Sequence, residues 1–298
     1  LGLIQYSFVI ARVHRRDNNL LLIASISCPC WQMPGLHFVI CFQTYLSLQP
    51  LRICPPNSLQ SLPLAMKWLY PRADAVAGVS AGVARDLEHQ LGLKKETVRV
   101  LNNPVVNDDL IALSHASLDH PWFAPDQPPV FLAVGRLNPQ KDFPNLLNAF
   151  AQVRKQQAAH LIILGEGQER QKLESIIDKL NISNDVLLPG FVTNPYPYMK
   201  RASCLVLSSK DEGLPTVLIE AMACGCPVVA TDCPSGPEEI LARGTYGLLV
   251  AVKNSEALGE AMLETLKNPP AQELIIQRAK EYSTEKSVEA YLALLHEL

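Results

Sequence analysis

The sequence predicts an α/β protein whose second half is a parallel, doubly wound sheet of six strands. Three observations carry that prediction. Between Val130 and Leu266, short apolar runs alternate with stretches whose apolar residues recur at helical spacing. The unusual residues of this half follow apolar runs, as they do in loops at the carboxyl ends of parallel strands. The chain has 298 residues, 48% hydrophobic and 18% charged, enough for two domains with a sizeable core.

The first seventy residues differ from the rest: Asp17 is their one acidic residue, and Asn18 to Leu51 carry no formal charge. A membrane span over "LLLIASISCPCWQMPGLHFVICF" is interrupted by Pro29, Gln32, Pro34, Gly35 and His37, so no stretch reaches the roughly 18–20 apolar residues a span needs. Buried strands with irregular loops are the expected content, a start shifted in reading frame being the other reading of the charge bias. The layout is not that of a signal peptide. From Ala73 the pattern is regular. "ADAVAGVS" reads as a strand ending at Ser80, which caps the helix "AGVARDLEHQL", with Gly92 as its stop. "TVRVLNNP" is the next strand, and residues 105–129, rich in Asp, Ser, His and Pro without a sustained period, read as a linker.

Beyond the linker, "VFLAV" (130–134) leads to a helix carrying Phe143, Leu146, Leu147 and Phe150, and "LIIL" (161–164) to one carrying Leu173, Ile176, Ile177 and Leu180. "VLLPG" (186–190) precedes a short helical piece near Tyr196–Arg201, and "CLVLS" (204–208) precedes a helix from Pro215 to Cys224. "PVVAT" (227–231) leads to a turn near Glu239, and "GLLV" (247–250) to a helix over Ser255–Leu266. The chain ends in helical sequence, "EKSVEAYLALLHEL", capped by Ser283 or Thr284. Runs this apolar suit strands covered by helices on both faces.

A net charge of −3 offers no global attraction to nucleic acid or anionic lipid, so an anionic ligand has to be held locally. The 8 cysteines do not suggest a disulfide scaffold. Cys204, Cys224, Cys226 and Cys233 fall in apolar patterns, where a thiol acts as a small hydrophobe. The "CPC" at 28–30 is too tight for zinc spacing. A reduced, cytoplasmic chain is expected.

The strand-end loops hold the candidate chemistry. Arg136 offers a planar fork and Lys141 a point charge, the two standard ways to hold a diphosphate. Gly165 and Gly167 permit close approach of backbone to a ring or sugar. "PGF", with Gly190 and Phe191, ends the third strand. The turn from Gly213 through Leu214, Pro215 and Thr216 to Val217 presents N–H groups at a helix start, suited to a phosphate oxygen. Glu220 stands about one turn into a helix that is otherwise apolar almost all round, and ligand hydroxyls such as those of a ribose would satisfy it. Each feature alone has an ordinary explanation: a solvated basic loop, a Gly-x-Gly turn, a proline at the first helical position, a glutamate on a wet helix edge. Their joint arrival at consecutive strand ends favours a ligand site.

"GRLNPQKDFPNLLNAFAQV", "LIILGEGQER", "LPGF" and "EGLPTVLIEAMACGCPVVATDCPSGPEEIL" together resemble the carboxyl-terminal domain of family 4 retaining glycosyltransferases, which have the GT-B fold of two facing Rossmann-like domains. "LYPRADAVAGVSAGVARDL" and "VRVLNNPV" are similar to the end of that family's amino-terminal domain, so the resemblance covers about residues 66–298. Its most specific element is the pair Glu212 and Glu220. The resemblance implies that Arg136 and Lys141 bind the donor diphosphate, Glu212 contacts the transferred sugar, Glu220 binds the ribose, and Gly165 with the Phe191 region lies against the nucleobase. It implies a nucleotide-sugar donor, most often a UDP-sugar, and transfer with retention to a cell-surface glycan or lipid-linked acceptor. Such an acceptor implies peripheral contact with the cytoplasmic face of a membrane. No Asp-x-Asp pair occurs and no metal or other cofactor is expected.

The family's glycine-rich amino-terminal loop is not found in this sequence. The expected organisation is therefore an incomplete amino-terminal, acceptor-side domain with linker over 1–125, a complete nucleotide-sugar domain over 126–283, and a carboxyl-terminal helix over 284–298 packing back on the amino-terminal domain. His14 and His37 are more simply solvated or packed than catalytic. The missing loop keeps a second reading open, a remnant that binds nucleotide sugar without turnover. An epimerase would need amino-terminal catalytic carboxylates that are not seen, and a nicotinamide dehydrogenase a strand running into G-x-G-x-x-G.

Overall fold

A computed structural model describes residues 73–298 throughout and, before them, the backbone of two strands, β1 (Leu20–Ser25) and β2 (Leu36–Phe42). The "CPC" tripeptide at 28–30, His14, the His37 side chain and the rest of the stretch read as buried strands and loops lie outside the described residues. The chain divides into two compact units, Leu1–Asn102 with Ser287–Leu298, and Asn103–Lys286. No helix among the described residues is long and apolar enough to cross a membrane.

In the first unit, β1, β2, β3 (Ala75–Gly78) and β4 (Arg99–Val100) form a parallel sheet in that order. Helix α1 (Ala81–Leu91) follows β3 because Ser80 Oγ accepts the Val83 N–H at 3.2 Å and Gly92 closes the helix in the left-handed region. Ala77, Leu101 and Leu294 form a small core, with Ala75, Ala290 and Tyr291 packed against it.

The second unit contains β5 (Val130–Val134), α3 (Phe143–Gln156), β6 (His160–Leu164), α4 (Arg170–Lys179), β7 (Val186–Gly190) and α5 (Tyr196–Arg201). It continues with β8 (Cys204–Leu207), α6 (Thr216–Ala223), β9 (Val228–Thr231), α7 (Pro237–Ile240), β10 (Leu248–Val250), α8 (Ser255–Lys267) and α9 (Gln272–Ala279). The six strands run parallel in the order β10-β9-β8-β5-β6-β7. Strand alternation divides the core: Phe131, Ala133, Leu161 and Ile163 join one cluster with Phe150 of α3, Leu173 of α4 and Met262 of α8. Leu132 and Ile162, between them in sequence, are equally buried on the other face. The Phe131 and Phe150 rings meet edge to face at 6.3 Å.

Two helices differ from the sequence reading. Within the stretch read as linker, α2 (Asp108–Ser114) is capped by Asn107, whose side chain accepts the Leu110 N–H at 2.8 Å. Seven residues are too few for a helical period to emerge, though the Asn cap followed by Asp108 and Asp109 is a start signal. Helix α9, which the sequence reading leaves unassigned, packs against α6. The last helix, α10 (Thr284–Glu297), begins as expected, with Ser283 Oγ accepting the Lys286 N–H at 3.3 Å. The Cys204, Cys224, Cys226 and Cys233 thiols are free and buried.

Candidate functional site

The strand order reverses direction between β5 and β8. Connections leave these neighbours toward opposite edges of the sheet, which opens a crevice beyond their carboxyl ends. The loop after β5 carries Arg136 and Lys141, and the loop after β8 carries Glu212. Lys141 Nζ donates to Glu212 Oε1 at 2.6 Å, with side chains 17% and 9% exposed. Ser209 Oγ donates to the same carboxylate oxygen at 2.6 Å. Bonds to backbone carbonyls lace the two loops together. Ser208 Oγ donates to Lys141 O at 2.7 Å, Lys210 N to Gln140 O at 2.8 Å, and Gln140 Nε2 to Asp211 O at 2.9 Å. Beneath them Thr231 Oγ1, at the end of β9, donates to Ser209 O at 2.6 Å.

Arg136 is exposed, and among the described residues its guanidinium makes no hydrogen bond or ion pair. Its loop is tied to the one after β6: Gly135 N donates to Leu164 O at 2.9 Å, Leu137 N to Glu166 O at 2.9 Å, and Glu169 N to Leu137 O at 3.0 Å. Gly165 and Gly167 stand in that second loop, directly against Gly135 and Leu137. Gly165 N donates to Gly190 O at 2.8 Å, linking the β6 and β7 ends. Phe191 projects beyond them, 78% exposed.

Helix α6 begins at Thr216 with Pro215 in the capping position, where the missing proline N–H costs nothing. Gly213, Leu214 and Pro215 are buried, while Thr216 and Val217 are half-buried. Ser235 Oγ donates to Gly213 O at 2.9 Å and holds this turn. Glu220 lies one turn along, half-buried; burial pushes its carboxyl up from the ordinary value, and a hydrogen bond with Thr216 draws it partly back. Tyr196 of α5 is pushed up by burial and then by the nearby Glu220 and Cys224. Asp211 is raised by burial first and by Glu212 second.

The structure therefore joins Lys141 and Glu212 across two facing loops, leaves Arg136 exposed in the first of them, and sets Gly165 and Gly167 against that first loop. Gly190 and Phe191 flank the edge of that arrangement. Among the described residues, Glu220 shares no ion pair with Arg136 or Lys141; α6 carries it one turn past Gly213–Pro215. Sequence reasoning missed Ser209, Asp211 and Tyr196. The run "SSKDEG" directly after an apolar strand is the signal that marked the first two. Tyr196 gave none, because its proximity to Glu220 depends on how α5 and α6 pack. Among the described residues no three His, Cys, Asp or Glu side chains converge as a metal site.

Residues 117–282 match the family described as glycosyl transferases group 1. The chain is 30% identical over 268 residues to an uncharacterized glycosyltransferase of Methanocaldococcus jannaschii, covering 78% of this chain and 66% of that protein. It is 32% identical over 212 residues to the N-acetylgalactosamine-N,N'-diacetylbacillosaminyl-diphospho-undecaprenol 4-alpha-N-acetylgalactosaminyltransferase of Campylobacter jejuni, covering 71% of this chain and 56% of that enzyme. The chain thus spans about half to two thirds of the length of these relatives. Anabaena HepE in complex with UDP superposes with a TM-score of 0.70 at 22% identity, covering 88% of this chain and 72% of that one, a likeness of fold that is of the GT-B type. With a match across more than half of its length, a six-stranded parallel sheet and structural neighbours of that fold, the chain belongs to the group 1 glycosyl transferases.

Proposed function

We infer that this chain belongs to an enzyme that moves a sugar from a UDP-sugar to a cell-surface glycan or lipid-linked acceptor, with retention of configuration at the anomeric carbon. The observation that carries this reading is the Lys141–Glu212 pair at the switch point, where the two loops facing the crevice present a cation and a carboxylate 2.6 Å apart. Arg136 and Lys141 hold the diphosphate, and the first turn of α6 receives a phosphate oxygen at the positive end of its dipole. Glu220 accepts the ribose hydroxyls, which answers the cost of keeping a carboxylate against burial. Glu212 contacts the transferred sugar, while Gly165 and Phe191 border the base.

In the reaction, the bond from the anomeric carbon to the β-phosphate oxygen breaks and the acceptor oxygen bonds to that carbon on the same face. The acceptor proton passes to the departing phosphate, so the products are UDP and the glycoside. Negative charge grows on the diphosphate as the bond breaks. The two cations, Lys141 held by Glu212 and Arg136 on its loop, stabilise that state more than the ground state, which is where their rate effect arises.

On this reading residues 126–283 are the nucleotide-sugar domain, residues 1–125 an incomplete acceptor-side domain with its linker, and 284–298 the carboxyl-terminal helix. A lipid-linked acceptor follows the printed specificity of the Campylobacter relative, and UDP follows the ligand of HepE. It puts the work at the cytoplasmic face of a membrane. The test is a titration with UDP beside a transfer assay over a panel of UDP-sugars and lipid-linked acceptors. UDP binding with release of UDP from one sugar donor supports the enzyme; binding without turnover supports a nucleotide-sugar-binding module instead, and no UDP binding ends both.

A further inference from the structure

We propose that Gly135, Gly165 and Gly167 are positioning residues: a stack of side-chain-free backbone that aims Lys141 and Arg136 at the diphosphate. The proposal rests on the diphosphate reading given above. The stack has three layers. Lys141 lies with its aliphatic stem over Gly135, so that a Cβ there would stand 3.0 Å from Lys141 Cε and 3.3 Å from Cδ. Gly165 lies against the Gly135 backbone, where a Cβ would overlap the Gly135 carbonyl oxygen and come within 2.9 Å of its carbon. Gly167 repeats the contact one step along: a Cβ would overlap Leu137 O and stand 2.7 Å from its carbon and 2.8 Å from its nitrogen.

Those approaches are what allow the backbone bonds Gly135 N to Leu164 O, Leu137 N to Glu166 O and Glu169 N to Leu137 O, each 2.9–3.0 Å. The three bonds flank Arg136 on both sides, and the Gly135 layer supports the stem of Lys141. Arg136, exposed and unpaired among the described residues, would otherwise be displaced with its backbone, so fixing that backbone lowers the entropy lost when the phosphates bind. Gly165 also needs its freedom of backbone, at φ +142°, whereas Gly135 and Gly167 carry no such strain and are glycines for the space alone. That makes the latter two clean probes.

The full-length chain is titrated with UDP and, separately, with uridine, which carries the same base and ribose but no phosphate. Gly135→Ala and Gly167→Ala each lose about tenfold in UDP affinity, roughly one charge-assisted contact, while uridine affinity stays within about twofold. Gly244→Ala is the control: it strains the backbone at φ +96° but meets its nearest neighbour only at 3.9 Å, and it leaves the ratio of the two affinities unchanged. Equal losses for UDP and uridine, or no loss, overturn the proposal, as does a Gly244→Ala variant that shifts the ratio as far. If Gly167→Ala does not fold, Gly135→Ala decides, because the three atoms nearest its methyl all belong to the flexible Lys141 side chain. Failure of the parent reading looks different: a wild-type chain that prefers UDP no more than uridine overturns both. Loss of the preference in Lys141→Ala but not in Gly135→Ala overturns the positioning role alone.

Discussion

Lys141 and Glu212, 71 residues apart in sequence, meet at 2.6 Å where the loops after β5 and β8 face each other, and Ser209 adds a second donor to the same carboxylate oxygen. A pair with side chains this sheltered depends on its partners' geometry, since removing one member leaves a charge poorly solvated. In the donor site proposed above, the same arrangement would keep an ammonium oriented until phosphate arrives.

Loss of either cation should therefore separate two ligands. Lys141→Ala and Arg136→Ala are expected to weaken UDP by about 1.5–3 kcal/mol each, while uridine affinity barely changes. Isothermal titration with both ligands checks this, and equal losses would move the diphosphate away from these residues.

Glu220→Ala should behave in the opposite way. Ribose is common to UDP and uridine, so both should weaken by about 1–3 kcal/mol. Unchanged affinity for uridine would remove the ribose from α6.

Glu212→Gln keeps an oxygen for Lys141 Nζ and Ser209 Oγ but loses the negative charge that we propose lies beside the transferred sugar. Its kcat is expected to fall about a hundredfold with UDP affinity within about threefold, the mark of an interaction made chiefly in the transition state. A loss confined to KM would assign Glu212 to ground-state binding.

Glu220 also makes a stability prediction. Burial raises its carboxyl above the ordinary 4.5, so at pH values between that and the raised native value the folded state binds more protons than the unfolded one. Stability then falls as pH rises through this window and stays lower above it. Glu220→Gln should accordingly melt higher than the wild type at neutral pH and show no such advantage below pH 4, measured by thermal unfolding without nucleotide. A variant that melts lower at neutral pH would contradict the direction.

Phe150 tests the core beneath the site. Its ring fills the space between α3 and Phe131, so Phe150→Ala should destabilise by about 3–5 kcal/mol in denaturant unfolding. A cost below about 1 kcal/mol would mean that α3 collapses onto the sheet without it.

Much of this arrangement is legible in the residues themselves. "VFLAV" is the strand Val130–Val134, "CLVL" is Cys204–Leu207, and Ser80 and Gly92 bound a helix, because apolar runs, caps and left-handed stops act over a few neighbours. The seven-residue helix Asp108–Ser114 shows no comparable periodicity, and its Asn107 cap is lost among other polar residues. A lone glutamate in an apolar helix marks Glu220, yet nothing local says that Tyr196 stands near it.

Sequence alone determined the alternation of elements, the placement of charged and glycine-rich loops at strand ends, and the likeness to a family. The fold decided who meets whom. Only the β8–β5 adjacency brings Lys141 to Glu212, and only the β5–β6 adjacency turns Gly165 and Gly167 into the seat of the Gly135–Leu137 backbone. Local propensity is set by residues a few positions apart, whereas these contacts depend on strand order, which emerges when separate helices bury their apolar faces on one sheet.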